Sequence, residues 1–365
     1  MTFGKSLPPA TGGLVTVVVP HFNYGRYLPT AVQSALAQDV PVEVIIVDDA
    51  STDGSDAVAR ELADADPRVT LVQHAENMRH IRTYNDGLAR ARGEYVVLLS
   101  ADDALAPGSL ARAAALFEHD RRISLVYGRV EQFEQGDEFE HADEFRRAAP
   151  LGALPAPARK HSWWTVWDGE EWIGHFARRG RNIPTNPEVV MRRSVYDEIG
   201  GYAASLPRSA DMLMWLRAAA RGRIGRVNGP VQAYYRLHGA NMHRTVYGGL
   251  LDDAISVKEA FELFFEVDGV RLRQPGRLAE RARRAVAREL ALASAPLPGG
   301  EEGAHARRRM LALARDIDPG VVRSGAWRWA VFAAGTGDRT RRVAVRPVEA
   351  LRWRIRSRIH GALGT

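Results

Sequence analysis

The chain has 365 residues, 45% of them hydrophobic and 26% charged, a balance that fits a globular protein of about two domains at ~150 residues per domain and excludes a disordered chain. It contains no cysteine, which excludes disulfides, thiolate zinc sites and cysteine nucleophiles. Fifty Lys plus Arg against 44 Asp plus Glu leave a net charge of +6, a mild excess compatible with phosphate-bearing partners.

Apolar runs and helical stretches alternate over the first hundred residues. Residues Leu14 to Val19 are predicted as a buried parallel strand stopped by Pro20, and Tyr27 to Gln38 as a helix with Leu28, Val32, Ala35 and Leu36 on one face. A second buried strand, Val42 to Val47, ends in Asp48 and Asp49, and Ser51, Thr52 and Asp53 offer N-cap oxygens to a helix at 56–63. A third strand follows at 69–73, then a helix at 81–92 closed by Gly93, then a fourth strand at 95–99 that runs into Ser100-Ala101-Asp102-Asp103. This alternation predicts an α/β fold with a mostly parallel sheet, helices on both faces and right-handed crossovers. Ligands of such sheets bind beyond the carboxyl ends of the strands, which selects His21 to Asn23, Asp48 to Asp53 and Asp102 to Asp103.

Residues 131–185 change texture: acidic first, then punctuated by Pro150, Pro155 and Pro157, then rich in tryptophan at 163, 164, 167 and 172. They are expected to form an insertion over the ligand edge of the sheet. Trp163, Trp164 and Trp167 then lie on the acceptor side or anchor the insertion to the core, as buried aromatics usually do. Regular structure resumes with a strand at 188–191, a helix at 194–199 ended by Gly200-Gly201, a helix at 211–220 and a strand at 231–236 before His238. The remainder is Ala/Arg-rich and helical, with breaks at 296–300 and 319–320, so the expected division is an α/β domain at 1–249 and a helical extension at 250–365.

The extension ends in a basic tail with arginines at 341, 342, 346, 352, 354, 356 and 358. From Pro347 to His360 it reads as an amphipathic helix, with Val348, Leu351, Ile355 and Ile359 on one face and Trp353 at its border. Such a face rests on an anionic membrane surface, or packs on the rest of the chain or a second subunit of a homo-oligomer. No stretch approaches the ~20 apolar residues of a membrane span, and Met1 to Thr11 lacks the apolar centre of a signal peptide. The expected location is the cytoplasm, with peripheral attachment to the inner face of the cell membrane where the tail binds lipid.

Adjacent carboxylates at a strand end raise each other's pKa unless a cation lies beside them. Asp102-Asp103 therefore reads either as a hard-oxygen site for Mn²⁺ or Mg²⁺ completed by substrate phosphates, or as a capping Asp beside a solvated one. Asp48-Asp49 is a turn, or a carboxylate that accepts from a pyrimidine base or a ribose hydroxyl. Asp211 by default opens a helix, where the dipole favours it, and His238 by default is a loop histidine. Neither GxxxxGK[ST] nor GxGxxG after the first strand is present, which counts against triphosphate hydrolysis and dinucleotide binding.

Taken in order, VTVVVPHFN, EVIIVDDASTDG, NMRHIRTYNDG, GEYVVLLSADD, RRSVYDEIGGY, DMLMW and YRLHGAN resemble the motifs of family 2 glycosyltransferases with the GT-A fold, over about Val15 to Met242. The resemblance implies a metal-dependent, inverting transfer from a nucleoside diphosphate sugar to a saccharide or glycolipid hydroxyl, with no nucleic-acid partner. It places Pro20, Phe22, Asn23, Asp48, Asp49, Arg82 and Asp102 at the nucleotide sugar, Asp102, Asp103 and His238 at Mn²⁺ or Mg²⁺, and Asp211 as catalytic base. Ser100 stands where the family's motif usually has its first Asp, Ala210 where Asp211 usually has a Glu neighbour, and Arg79 where a Gly is common. A nucleotidyltransferase on a similar sheet and a non-catalytic sugar-nucleotide-binding protein are the two alternatives. The first usually needs a Gly-rich, basic loop after strand one, which His21 to Gly25 does not supply.

Overall fold

The computed structural model describes residues 2–4, 13–134, 163–239, 249–297, 300–336 and 347–348. Beyond Pro347 and Val348, the amphipathic helix expected at Pro347 to His360 lies outside the described residues, as do its arginines and the acidic and Pro-rich part of the expected insertion. The chain forms two compact units, Met1–Gly169 with Pro184–Thr245, and Glu170–Ile183 with Val246–Thr365.

The first unit is built on one sheet of strands β1 (Thr2–Gly4), β2 (Val15–His21), β3 (Val42–Asp48), β4 (Val69–Gln73), β5 (Tyr95–Leu98), β6 (Ala104–Leu105), β7 (Ile123–Glu134), β8 (Trp164–Trp167), β9 (Val190–Arg192) and β10 (Arg223–Leu237). Their order is β1-β8-β10-β7-β9-β5-β2-β3-β4, with β6 paired to β10. Strands β4, β3, β2 and β5 are parallel, β9 runs antiparallel between β5 and β7, β7 and β10 are parallel again, and β8 and β1 form an antiparallel edge. Helices α1 (Leu28–Leu36), α2 (Ser55–Ala65), α3 (His80–Ala89), α4 (Ser109–His119), α6 (Arg193–Ile199) and α7 (Ala210–Ala219) belong to this unit, and α5 (Gly169–Arg179) begins at its end. Side-chain alternation places a helix on each face. Val17 and Val19 join Leu28, Ala31 and Val32 of α1 in the core. On the other face, α3 approaches so closely that a Cβ on Gly87 would lie 2.4 Å from Val18 Cγ1 and 2.8 Å from Val47 Cγ2.

Strand β2 does not stop at Pro20 but continues to His21. Val18 O accepts from Leu99 N on the β5 side, and pairing with β5 ends at Leu98, so the N–H that Pro20 lacks had no partner there. Strand β10 is far longer than the expected 231–236. It carries register shifts against β7 between Arg226 and Ala233, around Gly229 with φ +89° and Pro230.

The end of β7 and all of β8 occupy sequence that was expected to be insertion, and this corrects the acceptor assignment of the tryptophans. Trp164 and Trp167 are 6% and 2% exposed within the sheet, and β8 pairs Trp167 with Ile224. Neither ring has a face open to a sugar. Trp163 is half-buried against the same core, while Trp172, fully buried, stands 4.6 Å from Phe176 in the second unit.

The second unit contains α5, α8 (Leu250–Val267), α9 (Pro275–Ser294), α10 (Gly300–Ile317) and α11 (Gly325–Gly335). The expected boundary at 249 misses α5, whose Trp172, Ile173, Phe176 and Ala177 are buried. Glu170 latches α5 to the start of α9 by accepting from Arg273 N (3.0 Å), Arg273 Nε (2.9 Å) and Gln274 N (2.8 Å). Helices α9 and α11 meet through Ala291, Ala326 and Ala330. No described helix is long and apolar enough to cross a membrane.

Gly93 is not the cap of α3, which ends at Ala89 with Arg90 as C-cap. A Cβ there would lie 2.6 Å from Thr16 N and 2.7 Å from Leu14 O, backbone atoms that cannot give way independently. Gly93→Ala is expected to destabilise the protein by about 1–3 kcal/mol in urea unfolding, and an unchanged midpoint would contradict this packing.

Candidate active site

Among the described residues three non-glycine positions have left-handed backbones, Asn23 (φ 59°), Ala50 (φ 61°) and Arg79 (φ 66°). Asn23 and Ala50 follow the carboxyl ends of β2 and β3, and Arg79 precedes α3. Backbone of this kind persists where surrounding bonds fix it. Asn23 stitches two loops together: its N–H donates to Ser51 Oγ (3.0 Å) and its Oδ1 accepts from Thr52 N (2.8 Å). Gly25 N donates to Ser55 Oγ (2.8 Å), closing the same seam. Phe22, between these anchors, is 41% exposed. Arg82 lies exposed on α3.

The two carboxylates after β3 divide their work. Asp48 is buried in its loop: Oδ1 accepts from Ser51 N (3.1 Å) and lies 3.5 Å from His21 Nε2, and Oδ2 takes Gln73 Nε2 at 3.4 Å. Burial holds His21 below its ordinary pKa despite the nearby Asp48. Asp49 accepts from Met78 N (2.7 Å) and lies 2.8 Å from His74 Nδ1, both at Oδ1. Its Oδ2 has no partner among the described residues, so of the pair Asp49 is the carboxylate open to a ligand.

The pairing of β6 with β10, Leu105 with Ala233 and Ala104 with Tyr234, brings the end of β10 against the Asp102-Asp103 turn. Asp103 Oδ1 accepts from Arg236 N (3.0 Å), and the Asp102 carbonyl accepts from Arg236 Nε (3.0 Å). Asp103 Oδ2 is buried without a hydrogen-bond partner. Burial, and then the charge of Asp102, push the Asp103 carboxyl well above the usual range. His238 Nε2 is 3.0 Å from Asp102 Oδ2, and its ring centre is 5.1 Å from that of Tyr27 and 5.7 Å from that of Tyr24.

No three His, Asp or Glu groups converge on a metal-sized centre among the described residues. This corrects the expected three-ligand set, because His238 bonds Asp102 directly. What fits a hard cation is the two-carboxylate turn itself, whose orphaned oxygen and mutual repulsion a divalent ion would relieve, with other oxygens completing its shell.

Asp211 sits half-buried in the first turn of α7, with Oδ1 accepting from Met212 N (2.7 Å). The sequence reading missed Glu188, which appeared only as the start of a strand. It is buried, accepts from Thr185 N (2.7 Å) and Thr185 Oγ1, and is pushed up to about 7 by burial with the charge of Asp211 adding to the shift. Asp103 also feels its charge.

Residues 16–199 match Glycosyl transferase family 2, half of the chain, and the chain belongs to that family. It is 28% identical to an uncharacterized glycosyltransferase of Nostoc sp. over 231 residues, 63% of this chain and 66% of that protein. It is 38% identical to the succinoglycan biosynthesis protein ExoO of Rhizobium meliloti over 108 residues, 29% of this chain and 30% of that protein. The chain thus spans less than two thirds of the length of each of these relatives. The crystal structure of S. aureus TarS 1–349 in complex with UDP-GlcNAc shares the fold, with TM-score 0.52 and 14% identity, over 85% of this chain and 91% of that one.

A carboxyl raised from 4.5 to about 7 holds a proton in the folded state that the unfolded chain has released. Stability from this group is full below pH ~4.5 and declines as pH rises through ~7. In chelator-treated protein, Glu188→Gln is expected to flatten that part of the stability profile, and an unaltered decline would assign it to another group.

Proposed function

We propose that this protein is an inverting, divalent-cation-dependent glycosyltransferase that moves a sugar from a nucleoside diphosphate sugar to a hydroxyl of a saccharide or lipid-linked acceptor. The carrying observation is that one sheet edge presents an open carboxylate at Asp49 and an orphaned carboxylate oxygen at Asp103 in a chain of family 2. The nucleotide-sugar complex of TarS supports the donor class.

In this reading Pro20, exposed Phe22 and Asn23 flank the nucleotide, Asp49 accepts from its base, and Asp48 holds the loop that presents Asp49. Arg82 faces the donor phosphates. Asp102 and Asp103 hold Mn²⁺ or Mg²⁺, with His238 orienting Asp102. A cation held by these two carboxylates would supply positive charge for the departing diphosphate. Asp211 takes the proton of the acceptor hydroxyl as that oxygen attacks from the face opposite the diphosphate, so the anomeric centre inverts without a covalent intermediate. The relative named for succinoglycan biosynthesis supports a place in cell-surface polysaccharide or glycoconjugate assembly. We assign the Arg-rich tail to an anionic membrane surface on the cytoplasmic side, each basic residue contributing ~1 kcal/mol.

Asp211→Asn keeps the shape of the side chain and removes the base. It is expected to lower transfer by ~100-fold or more with donor affinity unchanged, measured as nucleoside diphosphate release with and without acceptor. Retention of more than about a tenth of the rate would require another base. The full chain is expected to sediment with anionic but not neutral vesicles at low salt, and a chain ending at Arg346 to stay in the supernatant. Equal recovery of both in the supernatant would exclude lipid binding by the tail.

A further inference from the structure

His74, at the carboxyl end of β4, has a place that neither the motifs nor the transfer chemistry requires. Its ring is 11% exposed and lies between two carboxylates, with Nδ1 2.8 Å from Asp49 Oδ1 and Nε2 3.1 Å from Asp86 Oδ2 of α3. Carboxylate oxygens at these positions only accept, so both ring nitrogens must donate to make both bonds, and only the imidazolium does so. The bridge continues from Asp86 to Arg90, the C-cap of α3. His80 and His21, the other rings that feel Asp49, are both held below their ordinary pKa by burial and add no positive charge near neutrality. The His74 N–H donates to the Asp48 carbonyl (2.9 Å), which fixes the ring's backbone to the same loop.

We propose that His74, as an imidazolium bridging Asp49 and Asp86, is a positioning residue that aims the free Oδ2 of Asp49 at the nucleobase of the donor. The proposal rests on the donor-site reading of Asp49. With Oδ1 bound by Met78 N and by His74, the carboxylate is locked in rotation and left with one oxygen for a base N–H donor. Unbridged, Asp49 keeps a single anchoring bond and turns more freely, so the cost of ordering it passes to the donor.

Burial alone would lower the His74 pKa, but its hydrogen bonds to Asp49 and Asp86 outweigh that and raise it above 6.5. The bridge is therefore complete below 6.5, and its contribution to stability and to donor affinity is lost as pH rises through the raised folded value. Because Asp49 holds the base rather than the reacting atoms, the loss appears in donor KM and not in kcat.

The test has two arms. Ring ¹⁵N shifts of His74 in the wild-type protein are expected to show the doubly protonated form at pH 7. Affinity for UDP, dTDP and GDP with Mn²⁺ is then measured from pH 6 to 9 for wild type and His74→Gln, whose amide donates to one carboxylate and does not titrate. The wild type is expected to bind its preferred nucleotide more weakly as pH rises. The variant should bind it about tenfold more weakly at pH 6, with a flat profile, a raised donor KM and an unchanged kcat. A neutral His74 at pH 7, or a variant as tight as wild type at pH 6, overturns the proposal alone. A wild type that binds none of the three nucleotides overturns the donor-site reading with it.

Discussion

Carboxylates crowded at one edge of a sheet repel each other and resist leaving water, and the first unit is organised around holding several of them there. Asp48, Asp49, Asp102, Asp103 and Glu188 are all nearly buried, a costly arrangement unless each charge is bonded or neutralised. The solutions differ from group to group. Asp48 and Asp49 are held by loop N–H groups, with His74 also against Asp49, whereas Glu188 and Asp103 are driven toward the protonated state. The proposed cation site rests on the orphaned oxygen of Asp103 beside Asp102, and the proposed donor contact on the unpartnered oxygen of Asp49.

The fold supplies that edge by topology. Parallel strands β2, β3 and β5 end together, so their loops converge, and the antiparallel β6 to β10 pairing adds Arg236 and His238 from a distant part of the chain. The strained backbones at Asn23, Ala50 and Arg79 fall in this layer of loops, where cross-loop bonds such as Asn23 to Thr52 hold them. The second unit is built differently, from helices joined through small alanine contacts and the Glu170 latch, and its chemistry is that of packing.

What the sequence made legible follows from how local the information is. Strands β2, β3 and β5 were readable because a strand buried on both faces needs a continuous apolar run, and the motifs after β3 and β5 follow where those runs stop. The tryptophans were not readable in the same way: WWTVW states that large rings are present but not which face they take, and the sheet claimed Trp164 and Trp167. The first half of β10 has no continuous apolar run, and the strand bulges around Gly229 and Pro230. Glu188 and His74 carried no sequence signal because their character comes from partners, Thr185 for one and the Asp49–Asp86 pair for the other. Gly93 looked like a helix cap and is a backbone crossing.

The central claim is that the Asp102-Asp103 turn is a cation site whose ion also engages a nucleoside diphosphate. Calorimetric titration of UDP, dTDP and GDP into the full chain with Mn²⁺, and again with excess chelator, measures this directly, with Asp103→Asn as the paired variant. The account predicts that at least one nucleotide binds the wild type with Mn²⁺, that chelation weakens this binding by tenfold or more, and that the variant shows little difference between the two conditions. Equally tight nucleotide binding with and without the metal in the wild type would contradict it.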